Sequence, residues 1–503
     1  MENSNLFKLI KSLKKNEKRY VAIFLAKHKK ATNILKLYNL INDAETISDD
    51  EIARKIKDRK FISQLKINKH NLYYLILDAL HNFHLRSSAY PRILNMLHQA
   101  EILLAKGLMI ARKDILDKAD KLANTYELSE LKLEIVRLRN IELDEMAVSN
   151  NLLKETKKLS DKIMEEGRIK HLSNRVGFYQ RKVGQRLSPT QLKYLEKQML
   201  QIINKEGFRG DSFFNQFFYL RILSLYNTMT GKVRDSYEND MSMVELFRAN
   251  PNMLELHIWK ERYLSSLSRL ITSSSLVGRK DMLPFLSDEI KRIDISDKRR
   301  AFADINILDA YMQMGEYANS IQLVAEVEKN IGFYRKSLGP VNRTALIYNL
   351  AVLNFGVGNY SKALIWVNDV INDSDKRSAD LGINIIVRIL RIIIYYELDY
   401  TDLLEYEFRS TYRYIINQKT PYRFDQIVLK FIRKSVALYD RQKIRKALEQ
   451  TRSELIKLSK VKTEQQTLSY FDFISWLESK IENKKFVDVA KQRAAIRLNH
   501  RAA

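Results

Sequence analysis

A chain of 503 residues with 45% hydrophobic side chains can bury a large core, as several domains or as one continuous array. It has no cysteine, which excludes disulfides, thiolate metal sites and cysteine nucleophiles, and the expected location is the cytoplasm. Its 86 basic and 60 acidic side chains give a formal charge of +26, which attracts nucleic acid, acidic protein surfaces or anionic lipid unless it is simply a lysine-rich solvated surface.

The basic excess lies at the ends. Residues 1–100 carry 19 basic and 9 acidic side chains and 401–503 carry 22 and 12, whereas 301–400 carry 9 and 11. The apolar run "YVAIFLA", Tyr20 to Ala26, is too short for a secretory core and is followed at once by "KHKK". The longer run "INIIVRILRIIIYYEL", from Ile383, falls short of a bilayer span and includes Arg388 and Arg391, so no membrane span is expected.

Residues 1–88 are expected to form an N-terminal helical domain. In "NILKLYNLI", Ile34, Leu37, Tyr38 and Ile41 share one helix face, and in "NLYYLILDALHNF" so do Leu72, Leu75, Ile76, Ala79, Leu80 and Phe83. Asp78, His81 and His84 share a face at spacings of three, but three ligands on one helix rarely converge on one ion, so no metal is expected. "DDEIARKI" followed by "LKINKHNLYYLI" has the outline of a divergent helix-turn-helix with Lys66, Lys69, His70 and Asn71 opening the second helix. The gap between its halves is longer than in the standard motif, and DNA is not the expected partner.

Residues 89–300 read as degenerate helical hairpins, with turns at Gly107 in "ILLAKGLMIARKDILDKA" and Gly231 in "YLRILSLYNTMTGKVRDSYENDM". Between them "GRIKHLSNRVGFYQRKVGQR" offers Arg168, Lys170, Arg175, Arg181, Lys182 and Arg186 without an acidic residue, and Phe178 and Tyr179 could stack on bases. These are candidate polyanion contacts; the competing reading is a solvated face with Phe178 in the core. Ser188-Pro189-Thr190-Gln191 and Thr420-Pro421 are helix-start signals, and no strand alternation or hairpin dipeptide occurs.

Residues 301–416 give the clearest punctuation. "NLAVLNFGVGNYSKALIWVNDVI" sets Gly358 and Tyr360 between a helix with Leu350, Ala351 and Phe355 and a helix with Ala363, Val367 and Val370. "INILDAYMQMGEYANSIQLVAEV" aligns Gly315, Tyr317 and Ser320 with this, and "LRIIIYYELDYTDLLEYEF" aligns Tyr400 and Leu403 but lacks the glycine. The pattern resembles the tetratricopeptide repeat. The helical stripes point to an all-α fold, and the resemblance, which covers about 299–416, implies a solenoid of stacked helical hairpins; capping helices are expected at 417–482 and a basic helix or tail at 483–503. Residues 1–88 also resemble the head of helical proteins of unassigned function in Bacteroidota.

Members of the repeat family bind peptides or protein surfaces in the groove lined by the first helices. Carried over, that groove includes Phe302, Ile305, Asp309 and Met312, then Ala345, Tyr348, Asn349, Val352 and Phe355, then Arg388, Ile392 and Tyr395, unless these side chains pack inside the solenoid. The clamp that some members use for a carboxylate tail is incomplete, because Ile305 and Asp309 stand where Lys and Asn are wanted. "GVGNYS" follows a helix and lacks the third glycine of a phosphate loop, and "DSDKRSADLG" lacks the ligands of a calcium loop. No nucleophile and base pair stands out, so neither an enzyme nor a cofactor is expected. The sequence points to a non-catalytic scaffold with a protein partner, with an RNA-binding or ribosome-associated factor and a DNA-binding regulator as alternatives, and it leaves the oligomeric state open.

Overall fold

The computed structural model describes residues 4–27, 31–44, 46–85, 88–140, 147–182, 193–194, 197, 212–293, 296–372, 381–417, 423–436, 441–461 and 470–502. Among the described residues the fold is all-α, with no strand. The chain divides into two compact units, one of 1–170 with 211–215 and 250–259, the other of 171–210, 216–249 and 260–503.

In chain order the helices are α1 (Asn5–Ser12), α2 (Lys15–Ala26), α3 (Ala31–Asp43), α4 (Asp49–Lys55), α5 (Arg59–Ser63), α6 (Leu65–His84), α7 (Ala89–Ala105), α8 (Met109–Thr125), α9 (Ser129–Arg139) and α10 (Ala147–Lys182). There follow α11 (Phe213–Thr230), α12 (Val233–Ala249), α13 (His257–Val277), α14 (Met282–Arg292), α15 (Asp297–Gln313), α16 (Ile321–Lys329), α17 (Ile331–Ser337) and α18 (Pro340–Gly356). The last are α19 (Tyr360–Asn372), α20 (Leu381–Glu397), α21 (Thr401–Asn417), α22 (Arg423–Val436), α23 (Arg441–Leu458), α24 (Phe473–Glu482) and α25 (Phe486–Ala502).

In the first unit, the stripe read from the sequence is the core. Ile34, Leu37, Tyr38 and Ile41 of α3 are buried with Leu72, Ile76 and Ala79 of α6, where α1, α2 and α3 pack on α6. Ser48 and Glu51 cap α4 reciprocally: Ser48 Oγ accepts from the Glu51 amide at 3.2 Å, and Glu51 Oε2 accepts from the Ser48 amide at 2.8 Å. A second cluster joins α7, α8 and α9 through Ile93, Leu97, Leu116, Ala119, Leu131 and Ile135.

One turn geometry joins hairpin after hairpin. Gly107, Glu127, Gly231, Gly278, Gly315, Gly358, Asp399 and Asn483 all have φ between 52° and 83°. The amide that follows each donates at 2.8–2.9 Å to the carbonyl five residues back, as from Asn359 to Asn354 and from Tyr400 to Tyr395. A left-handed residue thus ends the first helix and satisfies its last carbonyls before the second begins. The "LDY" copy therefore does have its turn residue, Asp399. It stands one position later than alignment on the tyrosines suggests, so that Tyr400 occupies the place of Asn359 and α21 starts at Thr401.

In the second unit, α18 through α25 pack each on the next, and α15 lies against α18. Helix α18 is buried without a break from Leu346 to Gly356, and Ala363, Val367 and Val370 of α19 close on it. The glycine that permits close approach is Gly356: a Cβ there would lie 2.1 Å from the Tyr317 ring, whereas one at Gly358 would meet open space. Burial alone would raise the Glu328 carboxyl, but Trp366 Nε1 (2.9 Å), Lys362 Nζ (3.0 Å) and Asn354 Nδ2 (2.9 Å) donate to it and hold it below its ordinary pKa. One carboxylate thereby ties α16 to α18 and α19.

Candidate functional site

The groove positions carried over from the repeat pattern are mostly inside the molecule, although Phe302 is exposed and Asp309, Met312, Ala345 and Arg388 are half-buried. Tyr348, Asn349, Val352 and Phe355 on α18 are buried, as are Ile392 and Tyr395 on α20. Residues more than a hundred positions away in sequence cover Tyr348 and Phe355. The Tyr348 hydroxyl donates to the Tyr470 carbonyl at 2.7 Å, and the Phe355 ring lies 5.2 Å from Phe471 and 5.5 Å from Phe486. Burial raises the Tyr348 phenol well above its ordinary pKa, so it remains a neutral donor. Asn349 Nδ2 donates to the Ile305 carbonyl at 3.5 Å, and the Arg388 guanidinium stacks on Tyr414 at 4.1 Å. At the end of α20, Glu397 accepts from Trp476 Nε1 and from Lys480 Nζ, both at 2.6 Å. Tyr470, Phe471, Trp476, Lys480 and Phe486 thus lie against the positions on α18 and α20 that the repeat pattern assigns to a groove.

The candidate polyanion contacts divide along α10. Arg168 and Lys170 are exposed on its surface. Arg175 lies over the Tyr194 ring at 5.1 Å, and Phe178 is 47% exposed, which puts it outside the core. The side chains of Tyr179, Arg181 and Lys182 lie outside the described residues, as does Arg186 with the helix-start signals at 188–191 and 420–421.

A lysine cluster that the sequence did not single out lies on the earlier part of α10. Lys154, Lys158 and Lys162 recur every fourth residue and line a cleft of about 520 Å³ with Lys132 of α9. Asn124, Ser129, Glu127, Glu155 and a small apolar floor of Ala123, Leu128 and Leu159 complete the lining. The carboxylate of Glu127 accepts from the amides of Phe213 (2.9 Å) and Phe214 (3.2 Å) at the start of α11. Lys132 Nζ donates to Asn124 Oδ1 at 2.7 Å, and Lys162 sits 3.8 Å from Glu166, whose carboxyl is raised by burial and accepts from Ser129 Oγ. Among the described residues Lys154, Lys157, Lys158, Arg168 and Lys170 form no ion pair. The four-residue lysine spacing is visible in the sequence, but nothing there brings Lys132 across from it.

The N-terminal candidates are occupied otherwise. Lys69 pairs with Asp49 at 2.5 Å, and His84 Nε2 lies 2.8 Å from Glu17 Oε1 while Asp78 and His81 are exposed. Among the described residues no group of three acidic or histidine side chains could hold a metal ion, and no helix is long and apolar enough to cross a membrane. Comparison with protein-family models, with curated proteins and with solved structures gave no match.

Proposed function

We propose that the protein is a non-catalytic scaffold of tetratricopeptide-like hairpins that binds an acidic protein partner on the basic face of α10, with Lys132, Lys154, Lys158 and Lys162 as the docking point. The supporting observation is the lysine-lined cleft, in which Lys154 and Lys158 have no carboxylate partner among the described residues. Ammonium groups converging in a concave site interact with an incoming carboxylate more strongly than the same groups spread on an open surface, because less water screens them. Glu127 opposes this little, since its charge faces two backbone amides. Tyr348 and Phe355 of the family's usual groove are covered by Tyr470, Phe471 and Phe486, which favours a docking point elsewhere for the acidic partner.

The test is hydrogen exchange of the full chain near physiological salt, alone and with either a polyglutamate peptide or a single-stranded oligoribonucleotide. The proposal expects polyglutamate to slow exchange at 124–132 and 154–162. Protection of those segments by the RNA alone would replace the protein partner with an RNA one. Protection by neither probe would refute the reading.

A further inference from the structure

The seat beneath α25 has the features of a recognition groove. Phe486, the first residue of that helix, inserts its ring among Tyr317 (5.4 Å), Phe355 (5.5 Å) and Phe471 (5.8 Å, stacked at 3°). Three cations then follow along the helix. Lys491 Nζ reaches Glu316 Oε2 at 3.4 Å, Arg493 Nη1 reaches Glu478 Oε1 at 3.0 Å, and Arg497 Nη2 donates to the Gln313 carbonyl at 2.8 Å. Between these contacts the two backbones touch: a Cβ at Gly315 would lie 2.8 Å from the Ala490 carbonyl oxygen and 3.0 Å from Lys491 Cα. An aromatic socket, two carboxylates, a carbonyl and a glycine at fixed spacing define a ligand.

We infer that this seat binds a basic helix led by an aromatic residue and carrying alanines on its inner face, and that residues 486–502 of the chain are its resident occupant, exchangeable for a partner helix of the same chemistry. The inference does not depend on the anionic-partner reading. Exchange is feasible because α25 brings few apolar residues into the core. Its buried apolar residues are Phe486, Val489, Ala490 and Ala494, two of them alanines, whereas α18 is buried over eleven consecutive residues, 346–356. Of its two ion-paired cations Lys491 keeps 55% of its exposure and Arg493 30%, so the Lys491 pair above all weakens with salt. A tethered occupant competes at a local concentration of order millimolar, so an external helix binds well only where the resident one has been loosened.

The probe is a fluorescent peptide of residues 484–502 added to the full-length chain. With Lys491→Glu and Arg493→Glu releasing the resident helix, the peptide should bind at least about tenfold more tightly than to the native chain. Adding Gly315→Ala should abolish that binding by blocking the seat. Adding Gly358→Ala, which imposes similar left-handed strain in open space, should not, and a peptide with Phe486→Ala should bind none of these proteins. Equal peptide binding by native and released chains would overturn the inference, as would loss of the native unfolding transition in the released chain, because α25 would then be an integral part of the core. A second measurement needs no variant: amides of 486–502 should exchange faster than those of 473–482 and accelerate as salt is raised. Equal, salt-independent rates would also overturn it.

Discussion

Asp304 is a carboxyl group placed where water does not reach. It accepts a hydrogen bond from the Tyr334 hydroxyl at 2.8 Å, yet burial outweighs that bond and pushes its pKa up to about 6. A carboxyl whose folded pKa is raised contributes relative stability below its ordinary pKa and loses it as pH rises through the folded value. Folding should therefore weaken between about pH 4 and pH 6, by up to about 3 kcal/mol. Asp304→Asn keeps an acceptor for Tyr334 and removes the charge. Urea unfolding should show the variant more stable than the native chain by about 1–3 kcal/mol at pH 7.5, with little difference near pH 4. An equal gain at both pH values would mean that the buried charge is not the cause. At the same scale, Gly356→Ala should cost roughly 1–3 kcal/mol, since its methyl would enter the buried Tyr317 ring.

Among the elements, the hairpin turns show how far the sequence can be read. Gly107, Gly231, Gly315 and Gly358 announce left-handed turns because glycine alone takes that backbone without strain. Glu127, Asp399 and Asn483 make the same turn with side chains that occur anywhere in a helical protein, so those hairpins were invisible or misaligned by one residue. Asp399→Gly should then raise stability by up to about 1 kcal/mol in thermal unfolding. Replacing Gly358 with Ala should lower it by a similar amount through backbone strain and not through crowding. The apolar stripes of α3 and α6 were legible, since a stripe every three to four residues has to be buried somewhere, whereas α18, buried at every position from 346 to 356, has no stripe to read. What buries it was not legible. Tyr470, Phe471 and Phe486 cover Tyr348 and Phe355 from more than a hundred residues away, and local pattern carries no information about such pairings.

For the whole molecule, the net charge of +26 acquires meaning only through placement. Many cations have a carboxylate partner, as Arg139 has Asp117 (2.6 Å) and Arg335 has Asp369 (2.5 Å), so the excess charge is carried by the cations that lack one. Among the described residues Lys154 and Lys158 have no such partner, and they stand beside Lys132 and Lys162 in one cleft. Binding of an anionic partner should therefore depend on where charge is removed as well as on how much. The most direct measurement compares polyglutamate affinity near physiological salt for two charge-reversed chains, one with Lys154→Glu and Lys158→Glu, the other with Lys443→Glu and Lys446→Glu on the exposed face of α23. Both changes lower the net charge equally. Loss of binding in the first chain with near-native binding in the second is the result predicted from the cleft; equal losses in the two would show that the charge acts only as a diffuse field and would contradict a docking point on α10.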